Sequence, residues 1–205
     1  MMKKIILSSA LVLAGVSAMA LAPTVDAAPS TKDVETKFKL NPSTDLEGSL
    51  KILEASPLEF KGQDITDSEL TTKIEDAKPS IIKIDEFSGS KPGWSLNAKA
   101  SPLKSGSDTL LGATIKFKSG EFTPDVTNIG GTGAPVNGAN FDKEINTDGN
   151  SSAVQIVKAE VGTGAGKWEL KHKDIELKIP SGNSAGDYKG TMTYTLTSGP
   201  TAPTP

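Results

Sequence analysis

The segment Ile175-Glu176-Leu177-Lys178-Ile179 alternates apolar and charged side chains, and this two-residue period decides the fold. Successive side chains of a β-strand point to opposite faces, so the segment fits a half-buried strand. The same alternation recurs in short segments along the chain: Val34 to Leu40, Leu50-Lys51-Ile52, Ile82-Lys83-Ile84, Ile115-Lys116-Phe117 and Val154-Gln155-Ile156. Only Asp64 to Lys78 has a weak helical pattern.

Turn-forming residues separate the alternating segments. They occur as Ser88-Gly89-Ser90-Lys91-Pro92-Gly93, Ser105-Gly106-Ser107-Asp108 and Pro180-Ser181-Gly182-Asn183. Gly and Asn tolerate positive φ and Pro presets a turn, so these clusters fit connections between strands. The sequence therefore predicts an all-β fold, a single antiparallel β-sandwich domain with Gly/Asn/Asp-rich loops. The longest polar insertion, Asn128 to Ser152, is predicted to be a mobile surface loop.

The N-terminus has the pattern of an export signal. Met1-Met2-Lys3-Lys4 precedes an apolar run from Ile5 to about Ala22, and Val25-Asp26-Ala27 fits a small-residue cleavage site. The run is too diluted by small residues for a spanning helix, so we expect no membrane embedding after cleavage. We predict a signal peptide at 1–27, a domain at 28–200 and a short C-terminal tail at 201–205. Because Thr201 to Pro205 carries no LPxTG-like sorting signal, any attachment of the secreted, extracellular protein to the wall is expected to be non-covalent.

Composition narrows the classes of function. All 22 basic residues are lysine, and the formal net charge is −3. Without arginine to make bidentate base or phosphate contacts, binding to nucleic acid is disfavoured. The chain has no cysteine, which excludes a lipoprotein and disulfide staples. Residues 28–205 are numerous enough to bury one self-sufficient core.

Three aromatic residues stand two positions before a leucine. The six residues are Trp94, Leu96, Trp168, Leu170, Tyr194 and Leu196. Positions i and i+2 of a strand share a face, so each pair presents an aromatic ring beside a leucine. We predict these six as candidate ligand-binding residues, on which the apolar faces of a glycan would stack. The alternative is that they fill the core, as buried tryptophan commonly does.

The ordered set of segments resembles the WxL-domain surface proteins of low-GC Gram-positive bacteria. The segments are Gly48 to Ile52, Pro92 to Leu96, Leu111 to Ile115 and Gly164 to Pro200 with its strand Thr191 to Leu196. This resemblance implies non-covalent peptidoglycan binding in the cell wall. It also implies partnership with a WxL-interacting membrane-anchored protein and other WxL proteins in a surface complex for adhesion. The sequence departs from the family in its distal motif, which is usually Trp-x-Leu and here has Tyr194 in place of the tryptophan.

Two other functions are weighed against wall binding. One is an adhesin or assembly subunit whose main ligand is a protein, either the WxL-interacting protein or a host or extracellular matrix protein. Such a subunit would bind through strand edges or the 128–152 loop. The other is a secreted glycan-active enzyme, which would need paired carboxylates. The acids Asp85, Glu86, Asp125 and Asp142 lie in no recognisable setting, so we expect no enzyme.

Two further motifs are predicted to be turns. Gly182-Asn183-Ser184-Ala185-Gly186 matches the G-x-S-x-G pattern of serine hydrolases, but an alternating strand follows it where a helix is needed. His172 alternates with lysines and fits a sheet face better than a catalytic base. Asn146 to Asn150 offers oxygen ligands but lacks the spacing of a calcium loop, so an Asx turn is favoured. No metal and no cofactor is expected.

Overall fold

The alternating segments form strands in the computed structural model, which describes residues 35, 37–41, 49–118, 120–124, 133 and 142–199. The predicted signal peptide, the predicted tail and residues 128–132 and 134–141 of the predicted 128–152 loop lie outside these residues. For residues 142–152 the prediction of a loop was wrong in part, because this segment contains the strand Lys143–Asn146. The chain divides into two units, Met1–Lys39 and Leu40–Pro205, and every described strand belongs to the second.

Thirteen strands and no helix occur in the described residues: β1 (Leu50–Ala55), β2 (Leu70–Lys73), β3 (Ser80–Glu86), β4 (Trp94–Ala100), β5 (Lys104–Ser105), β6 (Asp108–Thr109), β7 (Thr114–Phe117), β8 (Gly120–Pro124), β9 (Lys143–Asn146), β10 (Val154–Ala159), β11 (Gly166–His172), β12 (Ile175–Ile179) and β13 (Met192–Ser198). The helix suggested by the weak pattern at Asp64 to Lys78 is wrong, because this segment contains β2. The strand predicted at Val34 to Leu40 is not formed by the residues described there, 35 and 37–40.

The strands form three sheets and a hairpin, and all their pairings are antiparallel. The first sheet has the order β1-β3-β11-β8, the second β2-β12-β7-β9 and the third β10-β4-β13, while β5 and β6 form the hairpin. The all-β, sandwich-like, antiparallel fold class predicted from the two-residue period is therefore confirmed.

One apolar core joins the three sheets. Ile82 and Leu170 come from the first sheet, Ile115 and Ile175 from the second, and Leu96 and Ile156 from the third, and each is almost fully buried. Burying each of these side chains contributes about 1.5–3 kcal/mol. Alternation brings them inward because each strand has one face toward the core.

Two local features modify the alternation. The register between β10 and β4 shifts between Gln155 and Val157, which places an extra residue at Ile156 and lets Ile156 and Val157 both be buried. On the outer face of the second sheet, Lys118 Nζ lies 2.6 Å from Glu176 Oε1. This ion pair covers the Glu176 carboxylate and lowers its pKa.

Candidate functional site

Four of the six candidate residues lie together in the third sheet. Leu96 on β4 stands directly opposite Leu196 on β13, and Tyr194 stands opposite Ala98. Opposite residues of an antiparallel pair share a face, so the Trp94-x-Leu96 and Tyr194-x-Leu196 motifs form one apolar patch.

Trp168 and Leu170 belong to the first sheet instead. On β11, Trp168 stands opposite Ile84 and Leu170 stands opposite Ile82. Phe122, from the neighbouring strand β8, meets the Trp94 ring edge-on, with ring centroids 6.5 Å apart. The structure thus places the motifs on two sheets, and Phe122 packs between those sheets.

One short segment holds both indole rings. Trp94 Nε1 donates a hydrogen bond to the Gly164 carbonyl at 3.0 Å, and Trp168 Nε1 donates one to the Ala165 carbonyl at 3.2 Å. Gly164 itself has φ +73°, and a Cβ there would lie 2.7 Å from Trp94 Nε1. Glycine is therefore required where the chain crosses the indole ring.

The tryptophan motifs are buried. Trp94, Leu96 and Leu170 have no exposed surface, and Trp168 is 6% exposed, whereas Tyr194 and Leu196 are half-buried. In this conformation the indole rings pack in the core and offer almost no face on which a glycan could stack. Ligand contact by the six residues stays a prediction, and the structure shows only their packing role.

Tyr194 is the candidate residue that lines a groove. Burial raises the pKa of Tyr194 to about 12, and the neighbouring Ser80 hydroxyl opposes that rise. Its side chain also lines a large groove, described below. The hydroxyls of Tyr194 and Ser80 are both buried, so the polar end of Tyr194 faces the core.

The features weighed as catalytic lie apart. His172 is buried in the first sheet, edge-on to Phe117 at 5.2 Å between ring centroids. Burial lowers the pKa of His172 to about 4. Ser184 is exposed in the turn after β12, and its carbonyl accepts a hydrogen bond from the Tyr188 hydroxyl. No helix follows Ser184 in the described segment up to residue 199, so the context of a nucleophile elbow is missing.

In the part of the chain that is described, the acidic residues form no cluster that could hold a metal ion. Glu86 is buried and accepts a hydrogen bond from the Ser88 backbone N–H, and Asp142 pairs with Lys116 at 3.0 Å. Asp125 lies outside the described residues. Asp148 accepts hydrogen bonds from Asn150 N and from Ser151 N and Oγ, which confirms the Asx turn predicted at Asn146 to Asn150.

A large groove provides an open site. It runs between residues 55–62, from the end of β1 onward, and residues 186–194, which include the start of β13. Its volume is about 1070 Å³. A second cavity of about 390 Å³ adjoins it. Phe60 and Tyr188, both half-buried, line both cavities. We call the two cavities together the aromatic groove.

Sequence reasoning missed Phe60 and Tyr188. Both follow turn-type residues, in Pro57-Leu58-Glu59-Phe60 and Ala185-Gly186-Asp187-Tyr188, and neither lies in an alternating segment. An aromatic ring in such a segment has no sheet face to pack on, and this is the signal that could have identified them.

Comparison with known proteins gives one match. A family model described as WxL domain, surface cell wall-binding, matches residues 17–200. No curated protein and no solved structure matches the chain. Within the described residues, none of the structure is a helix long and apolar enough to cross a membrane.

Proposed function

We propose that this chain, which belongs to the WxL domain family of surface cell wall-binding proteins, is retained in the wall by non-covalent binding to peptidoglycan. The observation that carries the proposal is the extent of the family match, because residues 17–200 include every strand of the three sheets. The binding function of the family thus applies to the whole described fold.

The geometry supports binding rather than turnover. His172 is buried in the first sheet, whereas Ser184 of the G-x-S-x-G motif is exposed in the turn after β12, so these two residues do not form a nucleophile and its base. The aromatic groove offers rings and polar groups on an open surface, which is what non-covalent recognition of a saccharide needs. Because the wall polymer repeats its binding site, weak contacts by many copies add up to firm retention.

A sedimentation assay tests this function. The mature chain, residues 28–205, is mixed with insoluble peptidoglycan freed of proteins and teichoic polymers, and the pellet is analysed. We expect retention that denaturant releases and mild salt does not. An equal amount of heat-unfolded chain serves as the control for non-specific adhesion. A mature chain that stays in the supernatant refutes direct wall binding.

Export and cleavage are part of the same proposal. The predicted signal peptide at 1–27 would place the mature protein outside the cell, and the first residue of the wall-associated protein would be Ala28. Mass spectrometry of the N-terminal peptide from the wall fraction checks this. A wall-associated chain that begins at Met1 contradicts cleavage.

A protein ligand is the second candidate, and the position of β13 favours it. Among the described strands, β13 pairs only with β4, so it is an edge of the third sheet. Thr193, Thr195 and Thr197 on this strand are exposed. An edge strand can pair with an extended segment of a partner, such as a WxL-interacting protein in a surface complex. Gly199 N donates to the Gly93 carbonyl, so the backbone groups of odd-numbered β13 residues face β4 and those of even-numbered residues face the free edge. Replacing the exposed Ser198 by Pro therefore removes one donor from the free edge, and we expect it to weaken binding to such a partner but not to peptidoglycan.

A further inference from the structure

We propose that the aromatic groove is the glycan-binding site and that it takes an uncharged acetamido-sugar chain rather than an anionic phosphate polymer. This inference rests on the proposed wall-binding function and specifies where and what the chain binds. Of the six residues singled out from the sequence, Tyr194 lines the groove, and its hydroxyl is buried. The stacking rings come instead from Phe60 and Tyr188, which line both cavities.

The size of the groove fits an extended ligand. Small-molecule sites usually enclose about 300–1000 Å³. The larger cavity alone reaches about 1070 Å³, and the adjoining cavity adds about 390 Å³. Both share Phe60 and Tyr188, so a ligand that passes from one cavity to the other meets both rings. Several linked sugar units fit this layout better than a single one.

Both rings are carried by backbone that is already fixed. Phe60 forms a β-bridge with Ile74, and the neighbouring Lys61 N donates to the Lys73 carbonyl at 2.9 Å. The Tyr188 hydroxyl donates to the Ser184 carbonyl at 2.8 Å, and Lys189 exchanges two backbone hydrogen bonds with Lys104. Rings that are held before the ligand arrives lose little conformational freedom on binding.

The rings suit a sugar because each has an apolar face beside polar groups. The C–H face of a pyranose packs on an aromatic face, while its hydroxyl and acetamido groups hydrogen-bond at the rim. Ser101 and Thr191 line the larger cavity, and Asp187 and Lys189 stand beside Tyr188. The groove thus combines stacking surfaces with donors and acceptors.

The charge of the groove sets the ligand class. The larger cavity is lined by three carboxylates, Glu59, Glu75 and Asp187, and by one lysine, Lys189. Lys78 pairs with Glu59 and, at 3.8 Å, with Glu75. Asp187, which precedes Tyr188 in the chain, is the third carboxylate of the lining. A net acidic lining repels phosphate groups and has no such effect on a neutral glycan.

Single substitutions test the site. Tyr188→Ala and Phe60→Ala are compared with Phe87→Ala, which removes a ring that is 50% exposed and lies outside the groove. Binding to peptidoglycan freed of teichoic polymers is measured as an apparent Kd, and circular dichroism and thermal unfolding confirm that each variant is folded. We expect the two groove variants to bind at least about tenfold more weakly and Phe87→Ala to bind within about twofold of the unaltered chain.

The outcomes separate this inference from the proposed function. If the unaltered chain binds and folded Tyr188→Ala binds equally well, the groove is not the site, although wall binding stands. If the unaltered chain does not bind, the proposed function itself fails. Tyr188→Phe keeps the ring and removes only the hydroxyl and its hydrogen bond to Ser184, so it should bind more weakly than the unaltered chain but clearly more tightly than Tyr188→Ala. A loss equal to that of Tyr188→Ala overturns the stacking role of the ring.

A competition assay tests the ligand class. A soluble tetramer of N-acetylglucosamine and purified wall teichoic acid are each added to the folded chain bound on stripped peptidoglycan. We expect the neutral tetramer to release the protein and the teichoic polymer to leave it bound, with the same result at low salt. Release by the teichoic polymer alone overturns the preference for an uncharged glycan.

Discussion

Substitution of Gly164 tests how closely the backbone packs against the ring of Trp94. Replacing it by alanine adds a single methyl group at a backbone position with φ +73°. The new Cβ would lie 2.4 Å from the Ala159 Cβ and 2.7 Å from Trp94 Nε1, distances at which atoms must move apart. The substitution therefore has two effects: it strains the backbone, and it places a methyl group too close to core atoms.

The cost follows from these two effects. A left-handed backbone costs an L-residue about 1–2 kcal/mol. Forcing an extra methyl group into packed surroundings costs about 1–3 kcal/mol. We expect Gly164→Ala to lower the free energy of unfolding by about 2–5 kcal/mol. With a urea slope of about 2 kcal/mol/M, the midpoint of unfolding falls by about 1–2.5 M.

The matched control lies two residues away. Gly162 has φ +87°, and a Cβ there would meet no atom within 4 Å. Gly162→Ala should therefore carry the backbone cost alone, about 1–2 kcal/mol. Urea unfolding is followed for both variants by far-UV circular dichroism, because the tryptophans are themselves next to the substitution. Equal midpoints for the two variants would refute the crowding of Trp94 by residue 164.

Three further predictions concern buried and turn residues. Trp94→Phe leaves the Gly164 carbonyl without its donor, and we expect a loss of about 1–3 kcal/mol in urea unfolding; an unchanged midpoint contradicts that hydrogen bond. Burial lowers the pKa of His172 from 6.5 to about 4. As pH falls, His172 therefore takes up a proton in the unfolded chain at a higher pH than in the folded chain. The contribution of neutral His172 to the free energy of unfolding, about 3 kcal/mol, is present above pH 6.5 and is lost as pH falls toward 4. His172→Leu should therefore flatten the dependence of the free energy of unfolding on pH between these values. An unchanged slope in the variant refutes this role of His172. Asp148→Ala removes the acceptor of the Asx turn and should lower the urea midpoint slightly. Neither calcium nor a chelator should change the unfolding temperature of the unaltered chain, and a rise with calcium contradicts the Asx-turn assignment.

The strands could be predicted from the sequence because their pattern is local. Ile175 to Ile179 alternates with period two, and it forms β12 between β2 and β7. A side chain's face within one strand depends only on its position in the alternation, so the all-β class and several inward-facing residues followed without any knowledge of the neighbours. The wall-binding family also followed from ordered local motifs, and the family match confirms it.

Local pattern did not predict everything within the strands. At Val34 to Leu40 the alternation is clear, yet the described residues 35 and 37–40 form no strand, and Phe38 is 87% exposed. Alternation states which face would be buried but supplies no partner to bury it. At β10 the bulge at Ile156 turned two successive residues inward, which a strict two-residue period does not allow.

Only the tertiary structure decided how the candidate residues are used. The sequence put Trp94 beside Leu96 on one face, but the atoms that cover the ring come from Gly164, 70 residues away, and from Phe122 in another sheet. The aromatic groove likewise needs residues 55–62 and 186–194 to meet in space. Which face of a strand a residue takes is a property of a few consecutive residues, and the sequence determined it. Burial and concavity depend on contacts between distant segments, and only the packing of the three sheets determined these.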